Sequence, residues 1–495
     1  MSVHTGSDVD TSAEPTVGGQ LSAVRVPRFA ALATAAILAT QLMLQLDAQV
    51  VTVALPQLQR DLGFSAAGLS WVPNAYALAF GGLMLLGGRL GDVLGRVRVF
   101  GLGTALFALA SLAAGLAPDA TVMIVARVVQ GMGAAVAAPS ILSLLTAVAR
   151  DERARGRNLA LFTAASSVGA SFGLILGGAL TAFFSWRWGL LINLPIGAVV
   201  VTLVHRLVEE DRPAGGTVDG AGAITATLGS LGLVYGFVHA AEAGWATVQT
   251  WLTFALAAAL LAVFIGVERR ATLPLLDLSL LRHRKRATAL GAMGLIVGVH
   301  FSLLFLLVQY YQRELRMSPL VAGLAFLPLT GTILAVTHFV PPAVRRFGAG
   351  RLLVLGTALV GVSFGWFAAL NGSSTYARDV LGPLLVHSVG VALVFTPGTV
   401  LVLEGVPARH SGSISGLLQM VQQVGGSLGI AVIVAVHASG GGEPDAFLPG
   451  LPRAFLAAAV LAAVAVLVAL TGLIGFIGLI GLTTRHRHTD SESAA

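Results

Sequence analysis

The sequence of 495 residues contains no cysteine, a single lysine and few charged side chains. Without cysteine the chain can form neither disulfides nor thiolate metal sites, and it has no thiol redox chemistry of its own. Charged residues make up 11% of the chain and hydrophobic residues 56%, a balance that soluble globular domains do not have. The composition therefore excludes a soluble protein and indicates a chain that is embedded in a lipid bilayer.

The sequence also lacks a polar domain on which basic residues cluster. Its formal net charge is +7, but the arginines are scattered between apolar segments. We interpret them as topology signals and predict no nucleic-acid partner. The polar, acidic start of the chain has neither the basic residues nor the cleavage site of a signal peptide, so residues 1–28 are predicted to be a disordered cytoplasmic tail.

Apolar runs are abundant and recur from one end of the chain to the other. A run of about 20 residues is the length that crosses a hydrocarbon core of about 30 Å. With the N-terminus inside, about three quarters of the 30 basic residues are cytoplasmic, so both termini are predicted to be cytoplasmic. Fourteen candidate spans predict an all-α polytopic protein of the cell membrane, and they cover roughly residues 29–55, 69–87, 99–117, 121–148, 158–183, 188–207, 220–240, 250–267, 287–309, 319–341, 351–370, 379–403, 412–437 and 453–482.

The two halves of the chain resemble each other weakly. The segment at 344–356 follows the tenth candidate span as the segment at 88–100 follows the second, and an offset of 253 residues aligns Gly95 with Gly348. This repeat predicts two six-helix bundles that face each other, the architecture of a rocking transporter. The predicted division is an N-terminal bundle at 29–207, two inserted helices with their linkers at 208–286, a C-terminal bundle at 287–482 and a cytoplasmic tail at 483–495.

The segment G-R-L-G-D-V-L-G-R-V-R at 88–98 resembles the cytoplasmic motif G-x-L-a-D-r-x-G-r-r/k of the major facilitator superfamily. The resemblance implies the major facilitator fold and an inner gate loop, in which Asp92 and nearby arginines latch the two halves while the outer side is open. Val93 and Val97 stand where the motif usually has basic residues. The alternative is an ordinary positive-inside loop. The matching residues of the gate loop are Gly88, Leu90, Asp92, Gly95, Arg96 and Arg98.

The segment L-D-A-Q-V-V-T-V-A-L-P at 46–56 resembles the motif L-D-x-T-I-V-N-V-A-L-P of the fourteen-span drug/proton antiporters, the relatives of quaternary-ammonium and methyl viologen exporters. Asp47 matches that family's membrane acid. A charged side chain within a span costs roughly 2.5–3.5 kcal/mol on insertion scales, so we expect Asp47 to have a function, namely to carry a proton. The alternative is a structural acid that is paired with a neighbouring helix.

The segment A-R-V-V-Q-G-M-G-A-A in the fourth span resembles another motif of this family and contains Arg127, the one arginine or lysine that lies away from the ends of the predicted spans. Helix geometry places both Asp47 and Arg127 in the outer half of the membrane. We therefore predict that they face each other and that Arg127 tunes the proton affinity of Asp47. The alternative is a static ion pair.

Glycines recur every four residues along the fifth span, at Gly169, Gly173 and Gly177, and Gly178 follows them. The pattern resembles the antiporter motif G-x-x-x-G-P-x-x-G-G, but Leu174 replaces its proline, which keeps symport open beside exchange. Such a face also lets helices pack backbone to backbone, which is the alternative. The segment S-W-R-W-G-L-L-I-N-L-P-I-G at 185–197 resembles the same family.

Other polar residues in the spans are candidates for the wall of a substrate cavity, with hydrogen bonding between helices as the alternative. On the first span Asp47 lies about 200° from Gln45, which shares one stripe with Gln41 and Gln49, so only one of the two sets can face the cavity. The candidate cavity residues are Gln45, Asn74, Tyr76, Gln309, Tyr310, Gln419 and Gln423. We predict structural roles for His300, His338 and His387 and an interfacial ion pair for Glu404, and their part in coupling stays open.

Together the motifs predict proton-driven export of a hydrophobic drug, antibiotic or biocide by alternating access. The predicted partners are the lipid bilayer, a small hydrophobic organic substrate and protons; the proton gradient supplies the energy, and neither cofactor nor metal is expected. Enzymatic motifs are missing, so an enzyme is not expected. The alternatives are an uptake symporter or facilitator of the same fold and a non-transporting membrane receptor. Substrate identity, proton stoichiometry and oligomeric state stay open.

Overall fold

The computed structural model describes residues 29–65, 67–149, 151–209, 220–270, 283–404, 411–440 and 447–492. Within these ranges the chain consists of helices and short connections, without a strand. The predicted disordered tail at 1–28 lies outside the described residues, and so do most of the linkers on either side of the inserted helix pair.

The first half of the chain forms seven helices, of which the sixth is a short segment just before the seventh. They are α1 (Ala30–Leu62), α2 (Trp71–Leu94), α3 (Arg96–Gly115), α4 (Ala120–Ala147), α5 (Glu152–Phe183), α6 (Trp186–Leu191) and α7 (Asn193–Leu207). The inserted pair follows as α8 (Gly220–Ala243) and α9 (Val248–Arg270). α8 packs against α9 and also contacts α2.

The second half again forms seven helices, and here the second of them is short. They are α10 (Arg284–Arg313), α11 (Pro319–Leu324), α12 (Leu327–Phe347), α13 (Ala349–Phe367), α14 (Leu381–Leu403), α15 (Ser411–Ala438) and α16 (Leu451–Glu492). A π-helical turn, Tyr376–Val380, leads into α14. α16 extends beyond residue 482, where the last candidate span was predicted to end.

Twelve segments of the described chain are long and apolar enough to cross a membrane. α6 and α7 together form one of them, Trp186–Leu207, and α11 and α12 form another, Pro319–Phe347. α2 with 24 residues and α5 with 32 residues pack into the same bundle. Large apolar side chains such as Leu102, Trp251 and Phe339 stay exposed on its outside. This surface suits contact with lipid.

A single glycine separates consecutive helices at two equivalent places. Gly95 lies between α2 and α3 with φ 102° and ψ 135°, and Gly348 lies between α12 and α13 with φ 84° and ψ 144°. A positive φ is costly for residues that have a Cβ atom, so both turns favour glycine. The shared geometry agrees with the internal repeat that aligns these two residues.

The predicted gate loop is a helix end, and the prediction of a loop is wrong. Residues 88–94 form the last turns of α2 and Arg96 begins α3, so Gly95 alone connects them. Charged side chains at a membrane face can extend toward water without interrupting the helix. Gly88, Leu90 and Asp92 are therefore helical, and Arg98 lies in α3. The Asp92 side chain lies outside the described part of the structure, and its latch role stays a prediction.

The glycine face of α5 packs closely against α1. A methyl group at Gly177 would lie 2.6 Å from the Cα atom of Val50, and one at Gly173 would lie 2.8 Å from the Cβ atom of Gln49. Gly169 faces α1 in the same way. Because the two backbones are this close, no side chain fits between them. The face thus has the packing role that was the alternative from the sequence.

The two halves contact each other midway along α2 and α15, where Gly81 meets Gln423, and again at the end of the bundle opposite the two glycine turns. There the Gln312 Nε2 atom donates a hydrogen bond of 2.9 Å to the Val53 carbonyl, and the Arg313 guanidinium donates to the Gln59 side chain. The backbone of α5 at Gly178 also meets the start of α11. The halves are therefore joined at this end.

Candidate functional site

A buried ion pair lies in the first half of the chain. Arg127 Nη1 donates a hydrogen bond of 2.6 Å to Asp47 Oδ2, and each residue is only 1% exposed. The sequence predicts that these side chains face each other, and the structure places them in direct contact. Away from water, each charge depends on the other for its stabilisation.

Three neutral side chains surround the carboxylate. Gln130 Nε2 and Asn193 Nδ2 donate hydrogen bonds of 2.8 and 2.9 Å to Asp47 Oδ1. The same two amides donate to Ser111 Oγ at 2.9 and 2.8 Å. We call the five residues Asp47, Ser111, Arg127, Gln130 and Asn193 the Asp47 cluster. All five are buried, so the cluster is a closed polar network inside the bundle.

Four helices bring the Asp47 cluster together. α4 supplies Arg127 and Gln130, which share a face because they lie three residues apart. α1, α3 and the first residue of α7 supply the other members. The sequence analysis missed the roles of Ser111, Gln130 and Asn193. Asn193 stands in the apolar run L-L-I-N-L-P, where an amide needs a protein partner, but a serine can bond its own helix and provides no such signal.

Arg127 connects the Asp47 cluster with the space between the two halves. Its Nε atom donates a hydrogen bond of 3.0 Å to the Val72 carbonyl, and its guanidinium carbon lies 4.4 Å from the centroid of the Tyr76 ring. A cation over an aromatic face is stabilised by the ring quadrupole. Arg127 and Tyr76 both line a cavity, whereas Asp47 lies behind them.

The cavity between the halves has a volume of about 290 Å³. Both halves line it, with apolar side chains such as Phe80, Phe162 and Phe305 and with one cation, Arg127. The described residues of its wall include no acidic side chain. Each half contributes three amide side chains, and these are Gln41, Gln45, Gln49, Gln419, Gln422 and Gln423. Such a wall suits an apolar molecule that carries hydrogen-bonding groups.

Four of the candidate cavity residues lie in the wall, and three do not. Gln45, Tyr76, Gln419 and Gln423 line the cavity, and so do Gln41 and Gln49 from the same stripe of α1. The stripe therefore faces the cavity, while Asp47 faces α3, α4 and α7.

The prediction is wrong for Asn74, Gln309 and Tyr310. Asn74 is fully buried, because it lies two residues from Tyr76 and so on nearly the opposite side of α2. Gln309 Nε2 donates to the carbonyl of Phe305 at 3.1 Å. The Tyr310 hydroxyl donates to the carbonyl of Asn371 at 3.1 Å. The last two are thus bonded within the second half.

The other predicted polar residues lie apart from the Asp47 cluster. His338 is exposed on α12 and its ring packs edge-on against Phe339. Glu404 directly follows α14, and its carbonyl accepts a hydrogen bond of 3.1 Å from Arg286 Nη2. His300 and His387 contact each other in the second half. Among the described residues no group of three side chains could hold a metal ion.

The sequence and the fold both match known membrane transporters. The model of the Major Facilitator Superfamily matches residues 37–430. A cephamycin export protein of Amycolatopsis lactamdurans is 38% identical over 461 residues, which cover 90% of this chain and 95% of that protein. A puromycin resistance protein of Streptomyces alboniger is 34% identical over 439 residues, which cover 86% of this chain and 87% of that protein.

A solved peptide transporter has the same fold. Its TM-score is 0.67 at 15% sequence identity, and the match covers 89% of this chain and 94% of that chain. The family match also explains why the sequence has no enzymatic motif, since this family consists of transporters. The chain therefore belongs to the major facilitator superfamily and is a multi-pass transporter of the cell membrane.

Proposed function

We propose that the protein exports a small hydrophobic organic compound, such as an antibiotic or biocide, across the cell membrane in exchange for protons. Relatives named for antibiotic export and resistance support export. The observation that carries the proton part is the Asp47 cluster, a buried carboxylate behind an arginine that lines the cavity. The proton gradient supplies the energy, and the cycle uses no cofactor.

The proposed topology has fourteen spans and cytoplasmic termini. α6 with α7 counts as one span and α11 with α12 as another, and the inserted pair, within 208–286, lies between bundles at 29–207 and 287–482. The distribution of arginines supports this orientation. The end at which the halves touch is then the outer end, so the cavity is closed toward the outside.

Proton binding acts on the substrate through Arg127. While Asp47 is ionised, it holds the guanidinium by a bond of 2.6 Å. A proton on Asp47 removes the negative charge, and Arg127 is then freer to act on the cavity that it lines. Because one side chain contacts both sites, proton binding and substrate binding influence each other, and the influence is reciprocal.

The cavity wall narrows the class of substrate. It combines apolar side chains with six amides and one guanidinium, and its described residues include no carboxylate. A doubly charged cation would find no counter-charge there. The favoured substrates are neutral or singly negative organic molecules whose carbonyl and hydroxyl groups bond to the amides.

Proton movement in inverted membrane vesicles tests this function. We expect puromycin or a cephamycin, the compounds for which the two relatives are named, to enter energised vesicles and to release protons from them. The substitution Asp47→Asn should abolish both effects, because an amide cannot exchange a proton. Asp119→Asn is the matched control, since Asp119 caps α4 by accepting a 2.9 Å hydrogen bond from the Val122 N–H, and asparagine caps helices equally well.

Two results would contradict the proposal. Exchange at the normal rate by the Asp47→Asn variant would remove Asp47 as the proton carrier. Movement of protons and compound in the same direction would indicate symport, the alternative that Leu174 at the proline position of the antiporter motif keeps open.

A further inference from the structure

Two histidines form a buried hydrogen-bonded pair in the second half of the chain. His300 Nδ1 on α10 lies 3.0 Å from His387 Nε2 on α14, and the ring planes are within 6° of parallel. On the far side, His387 Nδ1 lies 3.3 Å from Ser363 Oγ of α13. The Ser363 hydroxyl donates a hydrogen bond of 2.6 Å to the Val360 carbonyl. This chain of polar atoms joins α10, α13 and α14, and it contains two rings that can bind a proton.

The histidine pair occupies the place in the second half that the Asp47 cluster occupies in the first. The offset of 253 residues that aligns the two glycine turns also aligns Asp47 with His300. The same offset aligns Ser111 with the residue next to Ser363. His387 lies on α14, the counterpart of α4. Both halves therefore place ionisable groups on their first and fourth spans and a serine on their third.

The hydrogen bonds define which nitrogen is ready to accept a proton. Ser363 donates to Val360, so it accepts from His387 Nδ1–H, and the neutral His387 ring then has its lone pair at Nε2. That lone pair accepts from His300 Nδ1–H, which leaves the lone pair of neutral His300 at Nε2. A proton from water can bind this Nε2 atom and form an imidazolium while every other bond of the chain stays in place.

The position of His300 connects the pair with the cavity. Phe301 and Leu304 line the cavity, and His300 precedes them by one residue and by about one helical turn on α10. His300 is 9% exposed, whereas His387 is completely buried. His300 is not itself among the lining residues, so a proton from this space would pass between the side chains of the wall to reach its ring.

The pair has no other ionisable partner in the described structure. The side chains that face the rings are Ser363 and the aromatic rings of Phe301 and Phe364. Asp47 on the neighbouring α1 is bonded to Arg127 instead. No hydrogen bond, ion pair or ring contact joins the rings to the other described charged or titratable residues of the helices packed around α10 and α14, which include Arg60, Asp61, Arg284, Lys285, Arg286, Tyr310, Tyr311, Arg313, His338, Arg345, Arg346, Arg351, Tyr376, Arg378, Asp379, His437 and Arg453.

We propose that His300 and His387 form a second proton-binding site, which takes up one proton from the cavity at His300 Nε2 and couples it to transport together with Asp47. The proposal rests on the proton exchange proposed above and raises its stoichiometry to two protons per substrate. The N–H···N bond between the rings limits the pair to one added proton, since a second would place two donors face to face.

The proposal is tested by measuring the largest ratio of substrate concentrations across the vesicle membrane that a known ΔpH sustains. With the membrane potential collapsed, one unit of ΔpH supports a substrate gradient of about 100-fold for two protons and about 10-fold for one, because each tenfold step is worth about 1.4 kcal/mol. The assay uses inverted vesicles with a labelled cephamycin, because puromycin is an amine and accumulates in an acidic lumen without a transporter. We expect about 100-fold for the unchanged protein.

The variants separate proton binding from packing. In His300→Asn the amide nitrogen can replace Nδ1 as the donor to His387, but the side chain cannot titrate, so the limit should fall to about 10-fold with transport retained. In His387→Gln the amide oxygen can still accept a hydrogen bond from His300. The imidazole pair is lost, however, so the largest substrate gradient should fall as well. His338→Asn is the control, since this histidine is exposed on α12 and should leave the limit unchanged.

The outcomes distinguish this proposal from the proposed function. A largest substrate gradient that stays unchanged in His300→Asn would overturn the second site. A gradient of only about 10-fold in the unchanged protein, lost in Asp47→Asn, would also overturn it, because one proton would then account for transport. Transport at a rate and to a gradient that do not depend on ΔpH would overturn the proposed function itself.

A measurement without substrate covers the case in which the variants fail to fold. Nitrogen-15 NMR of histidine-labelled full-length protein in lipid bilayers should show an imidazolium bonded to a neutral imidazole as the pH falls. Rings that both stay neutral over the pH range of transport would overturn the proposal.

Discussion

At the scale of single residues, the Asp47 cluster holds a buried charge, which is costly to remove from water, at a place where one proton can change several hydrogen bonds. The carboxylate accepts hydrogen bonds from Arg127, Gln130 and Asn193, so its charge is stabilised without water. Loss of one partner of the ion pair leaves the other charge buried without compensation, because a buried ion pair offsets its desolvation only when the geometry is good. The same arrangement lets one proton disturb several bonds at once.

Removal of Arg127 alone should be strongly destabilising. In Arg127→Gln the Asp47 charge stays buried without its partner, which should lower the free energy of unfolding by about 3–5 kcal/mol. The double variant Asp47→Asn/Arg127→Gln removes both charges and should recover most of this loss. Thermal unfolding of the purified variants in detergent measures the difference. A double variant no more stable than Arg127→Gln would show that the charges do not stabilise each other.

At the scale of helices, glycine allows pairs of backbones to approach each other. The close contact of α5 with α1 holds α1 in the orientation that turns its glutamine stripe to the cavity and Asp47 to α4. Helices in a bilayer gain little from hydrophobic association, so backbone proximity and packing determine how they pair.

A methyl group in this contact should therefore lower the free energy of unfolding. Gly177→Ala would bring a Cβ atom to 2.6 Å from the Val50 Cα atom, and overpacking of this kind costs about 1–3 kcal/mol. Gly266→Ala is the matched control, because a Cβ atom there meets nothing within 4 Å. It should be neutral or slightly stabilising in the same thermal unfolding assay. Equal effects of the two substitutions would contradict close α1–α5 packing as the cause.

At the scale of the whole molecule, the described parts of the two related halves enclose a cavity and contact each other along α2 and α15 and at the end opposite the glycine turns. The contacts of Gln312 with Val53 and of Arg313 with Gln59 must break if the halves rock apart there. The alternating access proposed above requires this movement, so we predict that this end is one of its two gates.

A cross-link across this gate should stop transport. The chain has no cysteine, so the pair Gln59→Cys and Arg313→Cys can be bridged by a short bismaleimide reagent without background reaction. We expect the bridged protein to lose vesicle transport, whereas each single variant keeps it. The pair Ser439→Cys and Arg453→Cys is the control, since both residues belong to the second half and already bond each other. Undiminished transport after bridging at Gln59 and Arg313 would contradict opening at this end.

The sequence by itself determined the class of protein, the approximate helices and the repeat. Long apolar runs and scattered arginines leave few alternatives to a helical membrane bundle. Gly95 and Gly348 marked equivalent turns, because only glycine adopts their backbone geometry readily. Asp47 and Arg127 stood out because a charge within a span is rare and needs a partner.

Only the tertiary structure decided which face each helix turns to its neighbours. In the structure the glutamine stripe of α1 lines the cavity, whereas Asn74 is buried away from it. Asn193 contacts Asp47, and His387 contacts His300. The physical reason is that a helix inside a membrane bundle is apolar on nearly all sides. Its sequence therefore carries almost no amphipathic signal for its rotation, which the packing of the neighbouring backbones determines.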